Sequence, residues 1–497
     1  MVGAGPGGMS AALAAADAGC QVVLIDSASA VGGQIYRQSQ RPGPGGDAVA
    51  GVGADARGGA GRRRGLPARL RRVAGHPRIT LAMGVSVWHA GPAGSGFRLH
   101  CTGGQGAAAD AADVVDARAV VVATGASELV VPFPGWTLPG VVTAGAAQAM
   151  LKAQQTLIGR RILVTGTGPL LLPVAAGLAR GGARVAGVYE AAGIGPMLSG
   201  LPGIARHPGK LAEAAGYAAA LARGRVRARS GWALAECRGR DRVEEAVLTR
   251  VDRHWRASGR ARVVPVDAVA VSHGFVPVLD LSRALGCRDE PLARHPAATV
   301  VVDADQATST TGVFACGEAT GVGGAAKAEL EGAVAGAAAA RHVGRLDEAG
   351  FRARASGAVA GIGRAREFAA LLARLYPLGD GWLAGLRADT VVCRCEDVAW
   401  EELTGALASG PSDLRSIKGL TRCGMGYCQG RVCGPVVQYA AARLTGRRLD
   451  AVGDLHTRHI MTPVTMGRLA AADAGEPDDA PDDAPGSGLG PAARDDR

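Results

Sequence analysis

Two glycine turns, at residues 3–8 and 166–171, each lead into an apolar helix and then a strand ending in a carboxylate, and five cysteines crowd into residues 393–433. Together they predict an α/β chain with two Rossmann-like dinucleotide-binding domains and a small helical, cysteine-rich module near its C-terminus. A length of 497 residues leaves room for two or three domains with cores of ordinary size. The 76 glycines and the 4% of aromatic residues suit nucleotide-binding α/β folds, whose turns and tightly packed helices favour small side chains.

Residues 1–35 read as a glycine turn, an alanine-rich helix over Met9–Ala18 and a strand over Gln21–Ile25 ending in Asp26, the later part of a βαβ unit. Only Met1 and Val2 precede Gly3, although such a turn follows a strand of about five residues. The expectation is a true start upstream of Met1, the alternative being a domain without its central strand. Residues 41–65, rich in Gly, Pro and Arg, read as a mobile loop. Strand signals recur at Ile79–Val87 and at Val120–Ala123, the latter running into Thr124 and Gly125.

The pattern restarts at Arg161 with a strand Ile162–Thr165, a turn Gly166–Pro169, an apolar helix, and a strand Arg184–Tyr189 ending in Glu190. Beyond it come a strand Ala268–Ser272, His273-Gly274-Phe275, and Thr311–Glu318, a strand running into a glycine-rich helix start. Residues 345–390 read as helical and lead to the cysteine module at 391–445; from about residue 472 the Pro, Asp and Gly content predicts a disordered acidic tail. The expected division is 1–150 and 271–345 for a discontinuous first domain, 151–270 for the second, 346–390 for a helical connector, 391–471 for the cysteine module with its extension, and 472–497 for the tail.

The net charge of +11 understates the basicity of the rest, because residues 473–497 carry eight acidic and two basic side chains. Apart from Arg62, Arg63, Arg64, Arg69, Arg71 and Arg72 the positive charge is scattered, and no nucleic-acid motif accompanies that cluster. It reads as a solvated loop and helix face, so nucleic acid is not an expected partner. The uncharged stretches Leu129–Leu151 and Ile162–Ala179 are interrupted by Pro132, Pro134, Pro139, Gly166, Gly168, Pro169 and Pro173, and read as strands, loops and helix starts in place of membrane spans. No Lys or Arg precedes the N-terminal apolar run, as a secretory signal requires. Ten cysteines, half of them in one short segment, point to a metal or redox site in a reducing compartment, hence the cytoplasm.

Gly3-Ala4-Gly5-Pro6-Gly7-Gly8 fits the dinucleotide fingerprint, whose glycines permit a tight turn, close backbone approach to a pyrophosphate and close helix–strand packing. Asp26, at the end of the next strand, can accept hydrogen bonds from ribose hydroxyls. Gly32-Gly33-Gln34, Ala123-Thr124-Gly125 and Gly317-Glu318 follow in order at large separations. This set resembles the flavoprotein superfamily with two dinucleotide domains that includes glutathione reductase. The resemblance implies FAD: Glu318, standing where Asp is commoner, would bond the ribityl chain, the helix after it would point at the isoalloxazine ring, and Val87 at its strand end would offer backbone groups to the adenine. In the second fingerprint, Gly166-Thr167-Gly168-Pro169-Leu170-Leu171, leucine takes the third glycine position, so helix–strand packing must rearrange there. Glu190 can still bind a ribose, and no arginine directly follows it to accept a 2′-phosphate. NAD, another adenine nucleotide, or no nucleotide at all remain open for this domain.

Cys393-Arg394-Cys395 and the run Thr421-Arg422-Cys423-Gly424-Met425-Gly426-Tyr427-Cys428-Gln429-Gly430-Arg431-Val432-Cys433 supply two close groups of thiols. Four thiolates suit an iron–sulfur cluster or a tetrahedral zinc, for which C-x-C is the less usual pair. The segment resembles the 2Fe-2S domain of bacterioferritin-associated-ferredoxin (BFD) type. That resemblance implies Cys393, Cys395, Cys428 and Cys433 as ligands, Cys423 falling where relatives tolerate other residues. Cys316 lacks a C-x-x-C partner and reads as a buried thiol. His273 reads as a structural residue or as a proton donor facing the flavin, and His456 and His459 as surface residues.

The full order of motifs, with Gly32-Gly33-Gln34-Ile35-Tyr36-Arg37, Gly166-Thr167-Gly168-Pro169-Leu170-Leu171-Leu172 and the cysteine run, resembles one family over nearly the whole chain. That family comprises the alpha subunits of hydrogen cyanide synthase, opine oxidases and dye-linked proline or hydroxyproline dehydrogenases. The resemblance implies an FAD-dependent oxidoreductase subunit that relays electrons from an amino acid or opine through flavin and a 2Fe-2S centre. Its implied partners are a beta subunit of amino-acid-oxidase type and a small ferredoxin-like protein. The alternatives are a self-sufficient NAD(P)H-dependent reductase and an assembly subunit that catalyses nothing.

Overall fold

The computed structural model describes residues 1–37, 65–103, 114–292, 295–410, 413–455 and 460–473. Of the expected loop at 41–65 all but Gly65, which begins a helix, lies outside the described residues, as do Arg62, Arg63 and Arg64, His456 and His459, and the tail beyond 473. Residues Met1–Thr462 form one compact unit, and Pro463–Arg497 a second. Among the described residues no helix is long and apolar enough to cross a membrane.

Helix α1 (Pro6–Asp17) starts directly behind the first glycine turn and leads to β1 (Val22–Asp26). Helix α2 (Gly65–Ala74) precedes β2 (Ile79–Met83), which runs parallel to β1. A meander of β3 (Val85–Ala93), β4 (Gly96–Gly103) and β5 (Val114–Ala117) leads on to β6 (Val120–Val122). Met1–Gly3 lie in the middle of the parallel sheet. Val2 N–H donates to Val121 O at 3.0 Å and Gly3 N–H to Ile25 O at 2.8 Å, while Ile25 N–H and Ala123 N–H donate to Met1 O and Val2 O. Two residues therefore join β1 to β6 at the position that a full central strand would fill.

The expected strand Ile79–Val87 is divided. Gly84 takes φ +71°, a left-handed conformation that breaks the run, and its N–H bonds Ala28 O. Val87 accordingly lies inside β3, buried against β4, and not at a strand end.

The next elements are β7 (Ala126–Glu128), β8 (Val141–Thr143), α3 (Ala144–Gln154), β9 (Arg161–Gly166), α4 (Leu171–Arg180) and β10 (Arg184–Glu190). They are followed by α5 (Ile194–Ala205), α6 (Pro208–Arg223), β11 (Ala228–Ser230), β12 (Trp232–Arg238), β13 (Glu245–Arg250), β14 (Arg262–Pro265) and β15 (Ala268–Ser272). Five parallel strands in the order β11-β10-β9-β15-β8 make the second Rossmann sheet. Its residues alternate. Ile162, Val164, Ala268 and Ala270 pack with α3, α4 and α6, while Leu163, Val269 and Val271 pack with the antiparallel sheet β12-β13-β14. The expected boundaries at 150/151 and 270/271 fall inside α3 and β15. The chain passes between the two parallel sheets through β7, before the first of these boundaries, and β16 (Phe275–Pro277), after the second, which form an antiparallel pair.

After α7 (Asp280–Ala284), β17 (Asp289–Pro291) and β18 (Ala298–Val300), the strand β19 (Val313–Ala315) returns beside β6. A 3-10 turn, Gly317–Thr320, then leads to α8 (Ala325–His342). Helices α8 and α1 approach through bare backbone. A Cβ on Gly332 would stand 2.1 Å from Gly7 O, and one on Gly336 2.2 Å from Ala11 O. The connector α9 (Glu348–Leu375) lies against α8 and α5.

The cysteine module has a short pair, β20 (Val391–Cys393) and β21 (Val398–Ala399), and helices α10 (Trp400–Ala408), α11 (Leu414–Thr421), α12 (Gly434–Thr445) and α13 (Leu449–Val452). Leu403, Leu414, Ile417, Val437 and Val452 share its core with Cys393, Cys423 and Cys433. Trp136 Nε1 donates to Val391 O at 2.7 Å and Arg431 pairs with Asp280 at 3.0 Å, which fix the module against the rest of the unit. In the second unit, α14 (Met466–Asp473) is the described element.

Candidate functional site

The first glycine turn sits at the carboxyl ends of the parallel strands, the standard place for a dinucleotide in an open α/β sheet. Gly3 takes φ +103°, and a Cβ there would lie 2.1 Å from Ala123 O; a Cβ on Gly8 would lie 1.7 Å from Gly3 O. Both positions exclude a side chain. Gly5 is different: the nearest atom to a Cβ would be Gly33 Cα at 3.9 Å, so the turn keeps an open edge in front of the α1 N-terminus. Open backbone and a helix start are what a pyrophosphate needs. Gly32 N–H donates to Ala4 O at 2.9 Å, which brings Gly33, at φ +59°, against the fingerprint. Gln34 accepts from Arg37 Nη2 at 2.7 Å. Asp26 accepts from Ala4 N–H at 2.6 Å through one oxygen and from Ala28 N–H at 2.7 Å through the other. These bonds hold the carboxylate at the turn, and each oxygen keeps a lone pair.

At the other end of the sheet edge, Thr124 Oγ1 donates to Val278 O at 2.7 Å and Val278 N–H to Gly125 O at 3.0 Å, tying the first sheet to the segment after β16. Gly317, at φ +79°, donates its N–H to Glu331. Glu318 accepts from Gly324 N–H at 2.6 Å and Gly323 N–H at 3.3 Å, so its carboxylate covers the entry of α8. Burial pushes its pKa up. Beneath this turn lies a group that sequence reasoning missed: Lys327, Glu331 and Arg366, paired at 2.9 Å on both sides of the glutamate. The signal was a lysine and a glutamate four residues apart in an alanine-rich helix, AAKAELEGAVAG, whose other charge in this stretch is Glu329.

The second turn repeats the first with one change. Gly166 at φ +128° would place a Cβ 1.8 Å from Ser272 O, while Gly168 at φ +109° has nothing within 4 Å. Glu190 accepts from Gly168 N–H at 2.9 Å and from Ala192 N–H at 2.8 Å, and burial raises its pKa to about 7. Leu171 is buried in the core between sheet and helices, and α4 begins only there, two residues beyond Pro169, whereas α1 begins at Pro6 itself. The leucine is thus accommodated by a later helix start. Thr165 Oγ1 and Ser272 Oγ, at the same strand ends, are buried without a hydrogen-bond partner. His273 is also buried, its Nδ1 has no partner, and Trp255 lies 5.8 Å away. Burial lowers its pKa to about 4, so the ring is neutral near pH 7 and holds no proton to give as a cation. Cys316 is fully buried, its pKa raised to about 12 by desolvation. All ten cysteines are free thiols.

Three of these thiols meet, and two more lie beside them. The Sγ atoms of Cys393, Cys423 and Cys433 lie within 4.8 Å of one another, all buried. Cys428 and Cys395 line the cavity beside them and extend the group toward the surface, where Cys395 is exposed. Hydrogen bonds from Cys423 and Cys433 pull the Cys393 thiol down to about 2, and those from Cys433 and the backbone pull Cys428 to about 5. Cys433, donating to its neighbours, is pushed up. Soft donors held this closely and met by backbone N–H groups fit a thiolate-ligated centre. A Cβ on Gly426 would lie 2.3 Å from Cys395 Cβ, which explains a glycine beside the cysteines. A cavity of about 240 Å³ opens beside them, walled by Phe133, Trp136, Val271, Cys395 and Cys428. The structure brings Cys393 and Cys433 against Cys423, which the family resemblance leaves out of the ligand set, and leaves Cys395 and Cys428 on the wall of the adjoining cavity.

Residues 1–342 match the family model described as pyridine nucleotide-disulphide oxidoreductase, and residues 388–473 that of the sarcosine oxidase A3 domain. An opine oxidase subunit from Agrobacterium tumefaciens strain Ach5 is 32% identical over 492 residues, covering 95% of this chain and 90% of the relative. The hydrogen cyanide synthase subunit HcnB of Pseudomonas protegens is 30% identical over 481 residues, 95% of this chain and 97% of the relative. Among solved structures, L-proline dehydrogenase from P. horikoshii superposes with a TM-score of 0.64 over 94% of this chain and 78% of that one, at 19% identity, a likeness of fold.

Proposed function

The chain belongs to the family of these opine oxidase and hydrogen cyanide synthase subunits, flavin-dependent oxidoreductases of the pyridine nucleotide-disulphide type, and we propose that it is the electron-relaying subunit of an amino-acid or opine oxidase or dehydrogenase. One observation carries this reading: a group of three buried thiols, with two further cysteines on the adjoining cavity wall, shares a single compact unit with two glycine-turn nucleotide folds. In this reading Gly3, Gly5, Gly8, Asp26, Gly33, Gln34, Val87, Thr124, Gly125, Gly317 and Glu318 belong to the FAD site. Gly166, Gly168 and Glu190 belong to a second adenine-nucleotide site, for which NAD is one candidate. Cys393, Cys395, Cys428 and Cys433 hold a 2Fe-2S cluster. A flavin would supply the conversion of an electron pair into single electrons, and a cluster their onward passage.

The residues of the chain do the rest. The Gly3–Gly8 turn and the α1 N-terminus present N–H groups to an anion. Asp26 braces that turn, and Glu190 braces its counterpart. The buried Cys393 and Cys433 would shield their side of a cluster from water, while Cys395 is exposed. The partner fits the names of the relatives, which are subunits: a beta subunit of amino-acid-oxidase type would oxidise the substrate, with a small ferredoxin-like protein beside it, in the cytoplasm. Co-expression with neighbouring gene products, followed by dye reduction across a panel of amino acids and opines, tests this. Activity that needs both chains supports it, and full activity of the isolated chain with NADH overturns it in favour of a self-sufficient reductase.

A further inference from the structure

Lys327 is 3% exposed and Glu331 0%, yet both carry charged groups. The lysine Nζ donates to Gly317 O, Thr320 Oγ1 and Gly321 O at 2.9, 2.9 and 2.8 Å, and to Glu331 Oε2 at 2.9 Å. The glutamate in turn accepts from Gly317 N–H at 3.0 Å, Thr320 Oγ1 at 2.7 Å, and Arg366 Nε and Nη2 at 3.1 and 2.9 Å. Apart from the bond that joins the pair itself, every one of these ends on the turn 317–321 or on the connector helix α9. Stability alone does not account for such a pair, because a buried ion pair is on average no better than well-packed apolar residues of the same volume. The charges sit under the turn that carries Glu318 and opens into α8. A reduced flavin is richer in negative charge than an oxidised one, and fixed charge near the ring moves its potential.

We propose that Lys327 and Glu331 are positioning residues that set the reduction potential of a flavin held at the Gly317–Gly321 turn, the lysine raising it and the glutamate lowering it. This rests on the FAD reading above. Arg366 adds a second, partly exposed positive charge to the same pair.

The test is spectroelectrochemical titration of the bound flavin in the full chain and its variants, with thermal unfolding measured alongside. Lys327→Met is expected to shift the midpoint potential down, Glu331→Gln to shift it up, and Arg366→Gln to shift it down by less than Lys327→Met. Both buried substitutions lower the unfolding midpoint, so shifts of opposite sign in potential separate electrostatics from loosened structure. Potentials that move in the same direction, or stay put in flavin-loaded variants, overturn the proposal. Should the buried variants fail to fold, Arg366→Gln decides, an unchanged potential overturning it. A wild-type chain that binds no flavin removes the FAD reading itself, an outcome distinct from flavin present with unmoved potentials.

Discussion

Carboxylates at the ends of strands accept backbone N–H groups throughout this chain, and their burial sets their chemistry. Asp26 and Glu190 brace the two glycine turns, and Glu128 accepts from Gly145 N–H at 2.8 Å to hold the start of α3. Glu190 gives the clearest consequence. Its folded pKa of about 7 lies above the value near 4.3 of an unfolded chain, so the folded state binds the extra proton. Its stability contribution falls as pH rises through that interval and levels off above about 7. Wild type should lose on the order of 3 kcal/mol between pH 4.5 and 7.5 from this residue, a slope that Glu190→Gln removes. Urea titrations of both proteins across that range check it, and equal slopes count against a buried, neutralised Glu190. Among the thiols, Cys393 and Cys433 are the two expected ligands that lie within 4.8 Å of one another. Cys393→Ser or Cys433→Ser should therefore lower bound iron per chain to about half or less, since each removes one of the four expected thiolate ligands.

Elements built from local pattern were legible in the sequence. Helix α1, β1, β9, β10 and β15 lie within one or two residues of expectation except at the start of α1, because glycine turns and apolar runs specify them within short windows. Where a single residue redirects the chain, the pattern misled: Gly84 reads as tolerated within a strand but adopts φ +71° and divides it. What the sequence could not reveal depends on distant partners. Arg366 reaches Glu331 across 35 residues, and Cys423 joins Cys393 and Cys433 only once α11 and α12 have packed. The α1–α8 contact is of the same kind. Glycines on α8 permit it, so Gly332→Ala, with its Cβ 2.1 Å from Gly7 O, should destabilise the fold by about 2–4 kcal/mol. Chemical denaturation checks that magnitude, and a change below about 0.5 kcal/mol would mean that the helices separate freely.

At the scale of the whole molecule, one compact unit combines two parallel sheets, the β7–β16 crossing between them and a cysteine module pinned by Trp136 and Arg431. In the proposed relay the thiols stand against the second sheet, beside an apolar cavity. Electron relay of this kind requires that the chain carry both a flavin and an iron–sulfur centre. Anaerobic purification of the full chain, followed by EPR and visible spectra before and after dithionite, addresses that requirement head-on. We expect flavin bands that bleach and, in the reduced protein, an iron–sulfur signal integrating to about one spin per chain; a protein that holds zinc on its cysteines and shows no iron signal would refute the relay.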